Sequence, residues 1–348
     1  SKAENEEERA KIVAKNALLK MDPVADALRK LVGGIVTKVD ALVGPEVEAA
    51  VDAMAPGDII LLENTRFEKG ETKNDPELSA QLAKLGDVYV NDAFGSCHRA
   101  HASTEGVTRH IDQCAAGYLV AKEIAYFTAV LTKPERPLVA VLGGAKVSDK
   151  ITVIEHLLNL VDTLVVGGGM AFTFLKAQGY PIGDSILDEP GLDVATKAMA
   201  KAEQKNVQLL LPEDSLAADD FPLDSEGKPK KVNTKVVGLS IEDGWRGLDI
   251  GPKTIERFCD ALRQAKMVVW NGPMGFFEVD EFGAGSKALA KLLAEGDMTS
   301  IIGGGDTAAA VTQYGLADQM SHVSTGGGAS LEMLEGKELP GLAALTDN

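Results

Sequence analysis

Basic residues are scarce in this chain: 35 Lys and Arg stand against 52 Asp and Glu, a formal net charge of −17. Such a surface repels polyanions and argues against a nucleic-acid partner. It leaves room for a small phosphorylated metabolite, which a few local cations and backbone amides can hold. Cysteine is scarce too. Cys97, Cys114 and Cys259 are odd in number, widely separated, and accompanied by neither C-x-x-C nor a His pair at metal spacing, which speaks against structural disulfides and a zinc site. No stretch approaches the ~20 apolar residues of a membrane span, and the opening SKAENEEERAK has no apolar signal core. A cytoplasmic location and small-molecule partners, with no membrane, are the expectation. The phosphate-binding pattern G-x-x-x-x-G-K-[ST] is also missing, so any phosphate must be held another way.

What is present is an ordinary folded composition, 45% hydrophobic and 25% charged over 348 residues, long enough for two domains. Residues 1 to 20, rich in Glu, Lys and Ala, read as a solvated helix or charged loop. An amphipathic helix is predicted from Asp22-Pro23 through Leu31, closed by Gly33-Gly34, with a strand at Ile35 to Val39. Asp58 to Leu62 and Asp87 to Val90 are short apolar runs with a helix at 76–85 between them, a strand-helix-strand order that predicts parallel pairing. The chain turns helical at 117–131, and Lys133-Pro134-Glu135-Arg136-Pro137 then suits a domain junction.

Beyond that junction one grammar repeats. Leu138 to Leu142 leads into Gly143-Gly144, Thr163 to Val166 into Gly167-Gly168-Gly169, and Met267 to Trp270 into Asn271-Gly272-Pro273. Ser300 to Ile302 leads into Gly303-Gly304-Gly305-Asp306, and Ser321 to Ser324 into Thr325-Gly326-Gly327-Gly328. With Val207 to Leu211 as a further strand, this predicts a doubly wound parallel sheet whose loops gather on one edge. Residues 224–238 read as an irregular excursion or hairpin.

A glycine just after a parallel strand admits a ligand to the amides of a helix N-terminus, where phosphate is favoured. The competing reading is that such glycines only let helix and sheet pack; five clusters on one edge favour binding. Lys146 and Lys150, four apart and read as the first helical turns, would share a face beside the Gly143-Gly144 turn. Asp306 is either a simple helix cap or a Mg²⁺ ligand serving nucleotide phosphates. In the first half, Arg66 and Arg99 each follow a strand, and arginine forks suit carboxylate and phosphate. His98 and His101 are open between loop hydrogen bonding and acid-base work.

At these residues the chain resembles the phosphoglycerate kinase family, through LLENTRF, NDAFGSCHRAHAS, LGGAKVSDKI, VGGGMAFTFL, GLDIGP, WNGPMGFFE, IIGGGDTAAA and STGGGASLEMLEGKELPG in family order. The resemblance runs from about Asp22 to the end. It implies an α/β protein of two Rossmann-like domains with parallel sheets. Residues 1–116 would form a phosphoglycerate-binding domain, 117–132 an interdomain helix and 133–332 a nucleotide-binding domain, with a 333–348 tail that could return to the first. The implied reaction is reversible phosphoryl transfer between 1,3-bisphosphoglycerate and MgADP, giving 3-phosphoglycerate and MgATP, with closure about the interdomain helix.

By motif, Lys146 and Lys150 resemble lysines that contact the nucleotide phosphates and the transferring group. Glu278 resembles the ribose carboxylate, and Gly247 falls in the adenine pocket. Gly304, Gly305, Asp306 and Thr307 resemble the loop carrying the phosphates and, at Asp306, the metal. Gly326 to Gly328 resemble amides facing the transferring phosphoryl, so Lys150, Gly305 and Gly327 form the implied catalytic set. Gly143, Gly144, Gly167, Gly168, Asn271 and Pro273 complete the nucleotide set. Arg66, Arg99 and His98 resemble the basic patch for phosphoglycerate.

One departure stands out. Family members open with an Asp-x-Asn strand, an Arg on the next segment, and a strand ending in His-x-x-x-Arg, and none of these is in the sequence. This leads to the expectation of an incomplete first domain and weak or lost turnover by this chain alone. A monomer is the family expectation, with association possible through an exposed first-domain edge. Two other readings compete: a non-catalytic nucleotide-binding fragment or scaffold, and an NAD-dependent oxidoreductase, for which Gly303, Gly305 and Ala308 satisfy G-x-G-x-x-[GA]. The acidic residue expected after the next strand is replaced there by Val323-Ser324-Thr325.

Overall fold

In the computed structural model, residues 16–33 and 35–346 are described; the charged opening read as a helix or loop lies outside them up to residue 15, as does Gly34. The chain divides into two units, Ser1–Tyr118 with Leu339–Asn348, and Leu119–Glu338.

In the first unit, helix α1 (Asp22–Val32) carries Asp22 in its first turn and Arg29 and Lys30 in its last, matching the helix dipole at both ends. Strand β1 (Val36–Lys38) pairs in parallel with β2 (Ile59–Leu61). Helices α2 (Pro45–Asp52) and α3 (Pro76–Ala83) flank the second half of this segment, and Asp75 caps α3 by accepting from the amides of Glu77 and Leu78. Strand β3 (Val88–Asn91) then pairs with β4 (Gln113–Ala116).

The order β2-α3-β3 therefore does not produce the pairing expected of it: β2 takes β1 as neighbour and β3 takes β4. A helical crossover makes two strands parallel without making them adjacent, and apolar periodicity carries no information about which strand sits beside which. Strand β4 escaped notice because Gln-Cys-Ala-Ala lacks the branched side chains that mark strands. The end of the chain is bonded into this unit, with Gly341 N donating to Cys97 O at 2.8 Å and Thr346 N to Cys114 O at 2.8 Å.

The second unit opens on α4, whose range is Tyr118–Thr132. Its sheet begins with β5 (Leu138–Leu142) and β6 (Thr163–Val166), every residue of which is buried. Such unbroken apolar runs are what a parallel strand covered on both faces requires. Helices α5 (Ile151–Leu157), α6 (Met170–Ala177) and α7 (Leu192–Lys205) follow, with β7 (Gln208–Leu210) closing one side. Strands β8 (Ser215–Ala218), β9 (Thr234–Val237) and β10 (Arg246–Ile250) form a separate three-stranded antiparallel sheet in the order β10-β8-β9. The excursion expected at 224–238 thus ends in a strand.

Helix α8 (Pro252–Arg263), strand β11 (Met267–Asn271), helix α9 (Ala284–Glu295), strand β12 (Thr299–Gly303), helix α10 (Gly305–Gln313), strand β13 (His322–Val323) and helix α11 (Gly328–Leu334) complete the unit. The main sheet has six strands, all parallel, in the order β13-β12-β11-β5-β6-β7, the doubly wound arrangement that the sequence predicts. Trp270, Phe258, Leu289 and Ile302 are buried together on one face of it. Register levels the strand ends: Asn271 stands beside both Leu142 and Gly303, and Leu142 beside Val166. The glycine loops consequently line one carboxyl edge.

Candidate nucleotide and substrate sites

Along that edge of the second unit lies a cavity of about 520 Å³. Six residues singled out from sequence line it: Gly144, Gly168, Gly247, Pro273, Glu278 and Asp306. Its two ends differ in chemistry. Ile186, Phe221, Leu248 and Phe276 give one end apolar walls, with Ile186 and Phe221 both exposed and the Phe221 and Phe276 rings 5.2 Å apart. Gly247 forms part of the floor there; a Cβ on it would lie 2.1 Å from the Phe172 ring, so only a residue without a side chain keeps that surface open.

The other end is built on α10. Its N-cap is Gly304 at φ 86, and no side chain caps the helix. The first-turn amides of a helix have no intrahelical acceptor and carry partial positive charge, so Gly305, Asp306 and Thr307 present an anion site. Asp306 is exposed and offers a carboxylate at the same place. The Thr307 side chain serves the loops instead, its buried hydroxyl accepting from Gly272 N at 2.6 Å and so tying two of them together.

The glycines after β5 and β6 act differently from the sequence reading. Gly143 N donates to Asn271 O, Gly144 N to Pro273 O, Gly167 N to Leu142 O and Gly168 N to Met274 O. Their amides are therefore engaged with backbone. Their lack of side chains lets loops touch, since a Cβ on Gly143 would lie 2.1 Å from Pro273 O and one on Gly167 2.5 Å from Met274 Sδ. Gly144 and Gly168 still form the cavity wall. In the same way Gly326 N is engaged by Ser324 Oγ at 3.1 Å, while Gly327 is the N-cap of α11. Glu123, buried in α4, anchors that loop: it accepts from Thr325 N at 2.8 Å and meets His322 Nε2 at 2.7 Å.

Lys146 and Lys150 do not share a helical face. Residues 148–150 form a single 3₁₀ turn and α5 begins only at Ile151, because Gly143-Gly144 and the buried Val147 hold the preceding segment in an open loop. Lys146 is exposed, whereas Lys150 turns back and donates to Gly143 O at 2.8 Å, Asn271 O at 3.0 Å and Asn271 Oδ1 at 2.7 Å. Burial lowers its pKa from 10.5 to about 8, against the pull of Asp306 and Asp149. Beside it, Asn271 Nδ2 is buried with no hydrogen-bond partner among the described residues. An amide donor left in that state next to Gly304 fits a ligand oxygen.

In the first unit, Arg66 lies on the 3₁₀ turn Thr65–Phe67 just after β2, and Arg99 in the loop after β3. Both are exposed. Burial, Arg66, Arg99 and His98 all lower the pKa of His101, so these four residues share one positive field; Glu71 opposes it. Arg99 Nε donates to His98 Nε2 at 3.0 Å, and His98 Nδ1 is buried without a partner among the described residues. A half-buried imidazole bonded to the Arg99 guanidinium suits a carboxylate or phosphate ligand.

The sequence reading left out Ile186, Phe221, Leu248 and Phe276. Leu248 and Phe276 stand inside quoted motifs but look like core residues. The signal for Phe221 was its place in the polar turn Ala-Asp-Asp-Phe-Pro-Leu-Asp, where an aromatic ring has no core to enter.

A search for similar proteins agrees with this geometry. The family model "Phosphoglycerate kinase" matches residues 7–337. A phosphoglycerate kinase of Acaryochloris marina is 53% identical over 335 residues, 95% of this chain and 82% of that protein. One of Moorella thermoacetica is 53% identical over 329 residues, covering 94% and 82%. Among solved structures, phosphoglycerate kinase from Coxiella burnetii superposes with a TM-score of 0.83 at 42% identity, over 93% of this chain and 80% of that one. These matches do not confirm the expectations of a missing opening segment and weak turnover, and they favour neither the oxidoreductase nor the non-catalytic reading. The chain belongs to the phosphoglycerate kinase family.

Proposed function

We propose that the cavity of the second unit holds MgADP or MgATP, and that the chain reversibly transfers the acyl phosphate of 1,3-bisphosphoglycerate to ADP. The observation that carries this reading is one cavity with apolar walls at one end and, at the other, an uncapped helix N-terminus beside Asp306. A nucleotide has the same polarity, a flat base at one end and phosphates at the other. Glu278, exposed on the cavity wall, suits the ribose hydroxyls.

Phosphoryl transfer asks the protein for positioning and charge cancellation. A β-phosphate oxygen of ADP attacks phosphorus, the bond from phosphorus to the acyl oxygen breaks, and the carboxylate of 3-phosphoglycerate leaves. Lys150 and the first-turn amides of α10 stabilise the oxygen charge on the transferring group. Asp306 would hold the Mg²⁺, which neutralises phosphate charge when bound. Arg66, Arg99 and His98 hold the phosphoglycerate.

Cytosolic placement belongs to the same proposal. All three cysteines are buried free thiols, in keeping with a reducing compartment, and among the described residues no helix is long and apolar enough to cross a membrane. The test is a coupled assay of ATP formation from 1,3-bisphosphoglycerate and MgADP, with calorimetric titration of MgADP and NAD. Turnover with MgADP binding is expected. Binding of NAD in preference to MgADP would overturn the proposal, and MgADP binding without ATP formation would leave only the non-catalytic reading.

A further inference from the structure

Asp249 lies in the Gly-Leu-Asp-Ile-Gly-Pro segment of β10 and has no role in the reaction as described. It is 3% exposed. Its Oδ1 accepts from Ile250 N at 2.9 Å and its Oδ2 from Gly285 N at 2.9 Å, so the carboxylate caps the start of α9 from a different element. Two glycines make room for it: a Cβ on Gly275 would lie 2.3 Å from Oδ1, and one on Gly285 2.6 Å from the same atom. The carboxylate is thus enclosed by the two ends of segment 275–285, which carries Phe276 and Glu278 into the cavity wall.

Strand β10 is irregular at this point. Gly247 stands opposite Ala217 and Asp249 opposite Leu216, leaving Leu248 as the extra residue of a bulge. Bulges re-aim side chains at the cost of ladder regularity. Here Gly247 and Leu248 line the cavity while the next residue is the buried carboxylate. A second bond joins the same two elements, from Phe276 N to Leu248 O at 2.8 Å.

We infer that Asp249 is a positioning residue of the nucleotide site, holding the wall that carries Phe276 and Glu278 at a fixed spacing from the wall that carries Gly247 and Leu248. This rests on the nucleotide reading of the cavity. The residue touches no ligand; it sets the width of the slot between the two walls. Its effect therefore falls on nucleotide binding, and phosphoglycerate binding in the first unit is left as it was.

Asp249→Asn keeps the side-chain shape and puts an NH₂ group against an N–H donor, so one of the two bonds is lost. KM and Kd for MgADP are expected to rise about tenfold, the scale of one lost buried hydrogen bond. KM for phosphoglycerate and kcat at saturating MgADP should stay within about twofold. A purely structural role would lower the active fraction, hence kcat, with both KM values unchanged, and that result would overturn the inference. The unmodified chain is titrated in parallel. If it fails to bind MgADP, the nucleotide reading itself falls; if it binds and the variant binds equally tightly, only the role of Asp249 falls. Should the variant not fold, hydrogen exchange on the unmodified chain decides: saturating MgADP must slow the Gly285 amide by about fivefold or more, and unchanged exchange refutes the coupling.

Discussion

Lys150→Met separates catalysis from stability. At neutral pH the fold holds this ammonium largely charged although burial lowers its pKa from 10.5 to about 8, which costs the folded state roughly 3 kcal/mol. Against this stand three hydrogen bonds, to Gly143 O, Asn271 O and Asn271 Oδ1, each worth about 1 kcal/mol net. Methionine removes the cost and the bonds together. Stability at pH 7 is therefore expected to change by no more than about 1–2 kcal/mol, whereas loss of the cation should lower kcat by about 10²–10³-fold.

The pH dependence gives the same substitution a second signature. Lys150 has a folded pKa below its unfolded value, so between about pH 8 and pH 10.5 the unfolded chain binds the extra proton and stability rises with pH. In the methionine variant that contribution disappears. Urea denaturation at several pH values across the window, beside coupled-assay kinetics, measures both effects. A variant that keeps kcat within about threefold, or one destabilised by more than about 3 kcal/mol at pH 7, would refute the reasoning.

Asp306→Asn should weaken MgADP binding by about tenfold or more, while ADP titrated in EDTA should bind the variant at least as tightly as wild type, because a like charge has been removed; equal losses with and without metal would sink the metal role. Gly304→Ala introduces a side chain at φ 86 with its Cβ 2.9 Å from Asn271 Nδ2, and a cost of about 1–3 kcal/mol in stability, read by thermal denaturation, should accompany weakened ADP binding. Arg66→Ala and Arg99→Ala should each raise KM for phosphoglycerate by about tenfold or more and leave KM for MgADP unchanged; a rise confined to MgADP would contradict their placement. Burial raises the pKa of Glu123, but bonds from His322 and Thr325 outweigh it and hold the value below 4.5. It therefore contributes stability above about pH 4.5 that is lost as pH falls through its folded pKa. Glu123→Gln should flatten that acid limb in denaturation curves, and an unchanged limb would remove Glu123 as its source.

Strand-then-glycine junctions were legible because a doubly covered parallel strand needs a continuous apolar run and its exit loop needs small residues. Both demands are local, so β5, β6 and β11 emerge from sequence nearly to the residue. What each glycine does was not legible. Gly143 and Gly167 face backbone and a methionine, and only the register of three neighbouring strands decides that. The lysine spacing misled for a related reason: the i, i+4 rule presumes a helix, and the helix begins one residue after Lys150. Asp249 was missed because it derives its meaning from elements far away in sequence, which no window along the chain can join; the polar turn around Phe221 shows that its ring has no core to enter, but not the cavity that it lines.

The acidity of the chain then becomes intelligible at the level of the cavity. Glu278, Asp184 and Asp306 line it, and only Arg246 among the lining residues is cationic, with Asp184 3.9 Å from it. A bare polyphosphate entering this field would be repelled by Glu278 and Asp306 over the ~10 Å range that salt leaves unscreened. The helix N-terminus and the unpartnered Asn271 Nδ2 attract at short range, and the Lys150 ammonium offsets only one of these carboxylates. The balance changes when the phosphates arrive with a divalent cation, because Asp306 then becomes an attractive group and the net ligand charge falls. On the nucleotide reading proposed above, the carboxylates would favour the metal-loaded nucleotide over the bare one, so a protein of net charge −17 would hold a phosphate chain by choosing the form in which it arrives.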